Sequence, residues 1–227
     1  MNAKKNIDQL AESFLKSAEI ELNGKSIRGI LPDEITKDRQ FAYFKSCKAH
    51  SGTKDIIDFF SPHKGINYLD FGCNINLKRY DLFLYPWQYI GVEACKMIVS
   101  KMQEYIRRKG IKNAQIFFSN SIYLPFENES FDCCSSIGVL EYYPVDQAFI
   151  LLKELYRVLK PKGKLILDIP NMEHPAFELL CKMERFLDRP VKLIISRKKF
   201  TQILVQLGIS IEAMDTSEVM IRYYMQK

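Results

Sequence analysis

No run of 18 apolar residues occurs in the chain, so no membrane-spanning helix is expected. The N-terminal segment MNAKKNIDQLAESF carries charges without an apolar stretch, so no secretory signal is expected either. Internal repeats and low-complexity tracts are absent. Cysteine pairs at metal-binding spacing are also missing. Cys47 and His50 form a lone C-x-x-H, and no second pair completes a zinc set, so no metal site is expected. Six cysteines lie scattered, and Cys73, Cys133 and Cys134 fall in or beside apolar runs. They read as reduced core residues of a cytoplasmic protein. The net charge of +6 includes the triplets Arg107-Arg108-Lys109 and Arg197-Lys198-Lys199. No aromatic residues alternate with these basic clusters, so a solvated surface explains them better than nucleic acid does. What is present is 227 residues with a 47% hydrophobic fraction, enough for one sizeable domain.

The chain is organised around Ile66 to Glu93. An apolar run, Tyr68-Leu69-Asp70-Phe71, stops at Gly72, and a second, Tyr89-Ile90-Gly91-Val92, stops at Glu93. This pattern predicts two buried strands with a link between them. An acid about 20 residues past a glycine turn, at the tip of the second strand, is how doubly wound α/β domains hold the hydroxyls of a ribose. A strand that merely ends in a surface glutamate fits the same residues.

Apolar positions from Ile7 to Ala18 predict an amphipathic helix over residues 5–22. Further helices are expected over 33–50 and 53–60. Strands are predicted at 67–71, 88–93, 114–118, 131–137, 164–169, 209–214 and 219–225. Helices are predicted at 95–109, 145–159 and 197–207, and residues 171–190 read as a looser segment. Gly110 and the Lys160-Pro161-Lys162-Gly163 stretch read as helix stops. The alternation predicts an α/β, doubly wound fold with a mostly parallel sheet. Residues 1–62 form an N-terminal helical addition to a core of residues 63–227.

Four segments resemble the class I S-adenosylmethionine-dependent methyltransferases, in particular the type 11 branch that acts on small molecules. They cover Ile66 to Asn171. Leu69-Asp70-Phe71-Gly72-Cys73-Asn74-Ile75-Asn76 is similar to that family's glycine-rich turn, with Asn74 and Asn76 where glycines are usual. Asparagine tolerates the left-handed backbone better than most residues. Gly91-Val92-Glu93-Ala94 is similar to the family's acid-tipped second strand. Ser119-Asn120-Ser121-Ile122-Tyr123-Leu124-Pro125-Phe126, followed by Phe131-Asp132, resembles the segment around the adenine. Ser135-Ser136-Ile137-Gly138-Val139-Leu140-Glu141-Tyr142 and Glu154 to Gly163 resemble the fourth-strand tip and the helix turn after it.

The resemblance implies a Rossmann-like seven-stranded sheet of order 3-2-1-4-5-7-6, with S-adenosylmethionine as cofactor. It implies a cofactor site of Asp70, Gly72, Cys73, Asn74, Glu93, Ala94, Asn120, Ser121, Ile122, Ser136 and Ile137. Methyl transfer of this type needs alignment more than a catalytic group. For a hydroxyl acceptor, His174 and then Tyr142 are the candidate general bases. Glu141 and Arg157 are expected to pair structurally. The expected partner is a small-molecule acceptor, possibly related to sugars or secondary metabolites, with neither a membrane nor nucleic acid involved. Three other readings remain: an inactive scaffold protein of the same fold, an RNA methyltransferase, and a nicotinamide-dependent oxidoreductase. The last would need glycines at Asn74 and Leu77.

Overall fold

The computed structural model describes residues 2–46, 52–119 and 121–227. The chain opens with helices α1 (Asn2–Leu22), α2 (Asp33–Thr36), α3 (Phe41–Ser46) and α4 (Gly52–Phe60). Then come β1 (Asn67–Phe71), the short helix α5 (Asn76–Arg79), β2 (Gln88–Glu93), α6 (Lys96–Lys109), β3 (Ala114–Phe118) and β4 (Phe131–Ser136). The chain continues with α7 (Val145–Val158), β5 (Leu159–Pro170), α8 (Phe177–Phe186), α9 (Arg197–Gln206), β6 (Ser210–Asp215) and β7 (Met220–Gln226).

The seven strands form one sheet in the order β3-β2-β1-β4-β5-β7-β6. β1 pairs in parallel with β2 and β4, and β7 runs antiparallel to β5 and β6. One face of the sheet buries Leu151, Leu152 and Leu155 of α7 with Phe200 and Leu204 of α9. The other face buries Ile56 and Phe60 of α4 and Ile98 and Met102 of α6 around Trp87. Apolar strands covered on both faces are the expected state of a parallel sheet. Among the described residues, no helix is long and apolar enough to cross a membrane.

Several predicted elements differ from the structure. The expected helix over residues 33–50 is broken. α2 stops at Thr36, and the Asp38 side chain accepts from the Gln40 amide at 2.8 Å in a local turn that competes with helix. Residues 47–50, including Cys47 and His50, lie outside the described residues. The looser segment 171–190 holds a regular helix, α8, which buries Leu179, Leu180 and Met183. β5 starts at Leu159, five residues before the predicted strand. Leu159 is already extended, so the strand runs through the expected helix stop.

Gly91 of β2 packs where no side chain fits. A Cβ there would lie 2.6 Å from Ile116 Cδ1 and 2.7 Å from Cys73 Sγ. Gly91→Ala is therefore expected to destabilise the fold by about 1–3 kcal/mol through overpacking, read as a lower denaturant midpoint with an unchanged m-value.

Candidate functional site

A cavity of about 410 Å³ opens at the C-terminal edge of the parallel strands. This is where open α/β sheets bind ligands. Its floor comes from Gly72 and Asn74 after β1, Glu93 and Ala94 at the end of β2, Ser119 after β3, and Ile137 to Val139 after β4. α1 supplies the roof. Leu10, Phe14, Ser17 and Glu21 follow one another at helical spacing and all reach the wall.

The turn after β1 survives without its usual glycines for specific reasons. Gly72 has φ +69° and Asn74 has φ +39°, so asparagine takes the left-handed position there. The Asn74 amide donates to Glu93 Oε2 at 2.9 Å. Asn76 is buried, and its side-chain amide donates to Asp70 Oδ2 at 3.2 Å. A Cβ on Gly72 would overlap the Val139 side chain. The backbone at Gly72 therefore packs closely against Val139, as only glycine allows.

Glu93 is the central polar group of the floor. Oε1 accepts from the Cys95 amide at 2.8 Å and Oε2 from the Asn74 amide. Burial pushes its carboxyl up, and the backbone donors Cys95, Asn74 and Ala94 oppose that shift. A carboxylate accepts about four hydrogen bonds, so two well-oriented positions remain for a ligand's hydroxyls. Asn74 Oδ1 is a second acceptor in the wall, buried with no hydrogen-bond partner. Two acceptors, Glu93 and Asn74 Oδ1, thus face the cavity beside the turn after β1. That arrangement fits the ribose of a nucleoside cofactor.

The structure brings together only part of the expected set. Gly72, Asn74, Glu93, Ala94, Ile137 and Tyr142 line the cavity. Asp70 lies below the turn, fully buried, where it accepts from Tyr89 and Ser135, each at 2.7 Å, as well as from Asn76. Cys73 is buried against Gly91. Ser136 closes β4 with a buried hydroxyl that finds no partner. Ser121 and Ile122 sit in a turn outside the wall, and Asn120 lies outside the described residues.

His174 does not line the cavity. Its Nδ1 accepts from the Ala176 amide at 3.1 Å, and its ring meets Tyr43 edge-on. The Tyr142 hydroxyl donates to Glu184 Oε2 at 2.9 Å, and burial pushes its pKa well up. Arg157 does not pair with Glu141. It pairs with Glu154, two bonds at 2.8 Å, and also donates to the carbonyls of Leu124 and Phe126, so it clamps the Leu124-Pro125-Phe126 turn.

Several wall residues were not anticipated. Arg189 lies over the Phe14 ring, pairs with Glu184 at 3.0 Å and donates to Ser17. Arg28 and Arg79 also line the cavity. The helical stripe of α1 was visible in the sequence, but nothing there marks its face as a cavity roof.

The fold is that of the class I S-adenosylmethionine-dependent methyltransferases. Residues 69–167 match the Methyltransferase domain family. The chain is 30% identical over 122 residues to the Sterol 4-C-methyltransferase strm-1 of Caenorhabditis elegans, covering 49% of this chain and 36% of that protein. It is 37% identical over 70 residues to the Ubiquinone/menaquinone biosynthesis C-methyltransferase UbiE of Bartonella henselae, covering 30% and 26%. The chain thus spans less than half the length of the curated relatives it matches. Among solved structures, magnesium protoporphyrin IX methyltransferase from Synechocystis, crystallised with bound SAH, superposes with a TM-score of 0.62 at 15% identity. That match covers 77% of this chain and 81% of the other.

Glu141, next to the wall, generates a stability prediction. It is buried, and its Oε2 has no hydrogen-bond partner. Burial, then Asp168 and Glu184, push its carboxyl well above the ordinary 4.5, and Arg189 opposes them. The folded state therefore holds this proton where the unfolded chain has released it. Stability falls as pH rises above 4.5, by at most about 1.4 kcal/mol per pH unit for one proton. Glu141→Gln is expected to flatten that slope in urea unfolding series between pH 5 and pH 8, with the variant gaining on the wild type as pH rises.

Proposed function

We propose that this protein transfers a methyl group from S-adenosylmethionine to a small-molecule acceptor. The carrying observation is Glu93, a buried carboxylate on the cavity floor at the tip of β2, held in place by two backbone amides. When bound, the cofactor supplies an electrophilic methyl group on a sulfonium leaving group. Glu93 would hold the ribose, Ala94 and Ser119 would flank the base, and the backbone of Gly72 would approach the methionine half. Ile137 and Val139 would face the reacting centre.

The chain's contribution is then to orient the acceptor and exclude water. The N-terminal addition, residues 1–62, serves as a lid through the α1 face that roofs the cavity. Neither candidate base is free in the wall: His174 lies elsewhere and Tyr142 is engaged by Glu184. The reading therefore rests on alignment rather than proton abstraction. A compact, largely apolar roof of Leu10, Ala11 and Phe14 supports a small acceptor over RNA. Unpaired cysteines among the described residues support a cytoplasmic setting.

Calorimetric titration with S-adenosylhomocysteine tests this reading. Micromolar binding is expected, weakened tenfold or more by Glu93→Ala, about 1.4 kcal/mol. Unchanged affinity in that variant would contradict the ribose assignment. Only the ionised carboxylate accepts from both hydroxyls, and burial raises the pKa of Glu93 above 4.5. Affinity is therefore expected to fall on acidification, starting above pH 4.5, while Glu93→Gln binds weakly with a flat profile.

A further inference from the structure

The charge of this protein is concentrated in one stretch. Residues 182–199 run from α8 through the linker to the first turn of α9. They hold seven basic and two acidic side chains, so +5 of the chain's +6 lies there. Two of the basic groups are paired, Arg189 with Glu184 at 3.0 Å and Arg197 with Glu173 at 3.2 Å. Lys182, Arg185, Lys192, Lys198 and Lys199 make no ion pair among the described residues, and all but Lys192 are exposed. Arg197, Lys198 and Lys199 occupy the first turn of α9, which has no acidic residue. The helix dipole disfavours cations at that end. Fold stability therefore does not account for the cluster, and an external anion would relieve it.

Large apolar side chains are exposed among these cations. Phe186, next to Arg185, is 48% exposed, and Ile194, two residues after Lys192, is 50% exposed. Met172 is also exposed and precedes Glu173, the partner of Arg197. The exposed Tyr43 of α3 meets the His174 ring edge-on. All of these stand on fixed backbone. Leu180 and Met183 of α8 pack with Phe41 and Phe44 of α3, and Leu193 and Ile195 enter the main core. Cations interleaved with exposed apolar side chains match the two layers of a bilayer surface, its headgroup phosphates and the acyl boundary beneath. A nucleic acid would supply the anions, but the aliphatic Ile194 and Met172 offer its bases no stacking face.

We propose that this face docks on an anionic phospholipid bilayer, with the unpaired cations in the headgroup layer and Phe186 and Ile194 below it. Such a contact, unexpected from the sequence, involves the membrane surface alone and needs no spanning helix. The docking face borders the cavity, since Arg189 of the same stretch lies in its wall. A docked molecule would hold the cavity beside the bilayer. The docking does not depend on which cofactor the cavity takes.

Sedimentation with vesicles tests this, one set of phosphatidylcholine alone and one enriched in phosphatidylserine. The intact chain is expected to bind the anionic set only, and less as salt rises. Lys198→Glu combined with Lys199→Glu is expected to weaken binding about tenfold or more. That variant should unfold no lower than wild type, because acids suit a helix N-terminus. Phe186→Ser combined with Ile194→Ser is expected to weaken binding about threefold or more, with thermal unfolding unchanged because both side chains are exposed. Phe186→Trp adds an indole to a chain whose single tryptophan, Trp87, is fully buried. Its emission should shift to the blue on anionic vesicles. No binding to the anionic set, equal binding to both sets, full binding by the charge-reversed variant or an unshifted indole would overturn the proposal. So would tighter binding to polyuridylate that the charge-reversed variant abolishes, which would make RNA the partner.

Discussion

The carboxylate of Asp70 takes three hydrogen bonds, each from a different element. Ser135 of β4 donates at 2.7 Å, Tyr89 of β2 at 2.7 Å and Asn76 of α5 at 3.2 Å. Burial alone would drive the proton back onto this acid, and these donors pull in the opposite direction. Hydrogen bonds to a charged group contribute about 1.5–3 kcal/mol each, and more is lost when a buried partner is left unmade. Asp70 therefore ties the three central strands to the turn above them. That turn brings backbone to the cavity floor and holds Asn74 where its amide meets Glu93. The site depends on a residue that does not line it.

The same logic explains a turn with asparagine where glycine is usual. Glycine would give conformational freedom and nothing else. Asn74 accepts the left-handed backbone, and Asn76 trades that freedom for a bond to Asp70. The roof is built by different means. Ser13 donates to the Leu187 carbonyl at 2.6 Å, Arg189 donates to Ser17 and lies over Phe14, and Glu21 pairs with Arg79. These contacts tie α1 to the segment after α8 and to α5. Ser13, Ser17 and Arg189 are buried, and only the Glu21–Arg79 pair is partly exposed.

The strands were legible because both faces of the sheet are covered, which leaves apolar runs that end sharply at Gly72 and Glu93. Glu93 could be found because its role follows from its place at a strand tip. Asp70 is next to Phe71 of the cavity wall in sequence, yet its side chain points into the sheet, and the alternation of a buried strand gives no sign of that. α8 was missed because its start carries no side-chain cap, Ala176 standing at that position. The helix over 33–50 was overextended because the Asp38 turn is a local competitor that apolar spacing does not register. Arg28, Glu21 and Arg189 were invisible as site residues. They meet the cavity only through tertiary contacts, without a shared motif.

The central claim is that the Asp70-anchored turn and Glu93 together form the floor of a nucleoside cofactor site. Backbone hydrogen exchange with and without S-adenosylhomocysteine tests it most directly, residue by residue. The account predicts slower exchange at residues 72–76 and 93–95 on addition of the ligand, with the antiparallel strands β6 and β7 unchanged. Unchanged exchange across the turn, or protection confined to another part of the molecule, would contradict it.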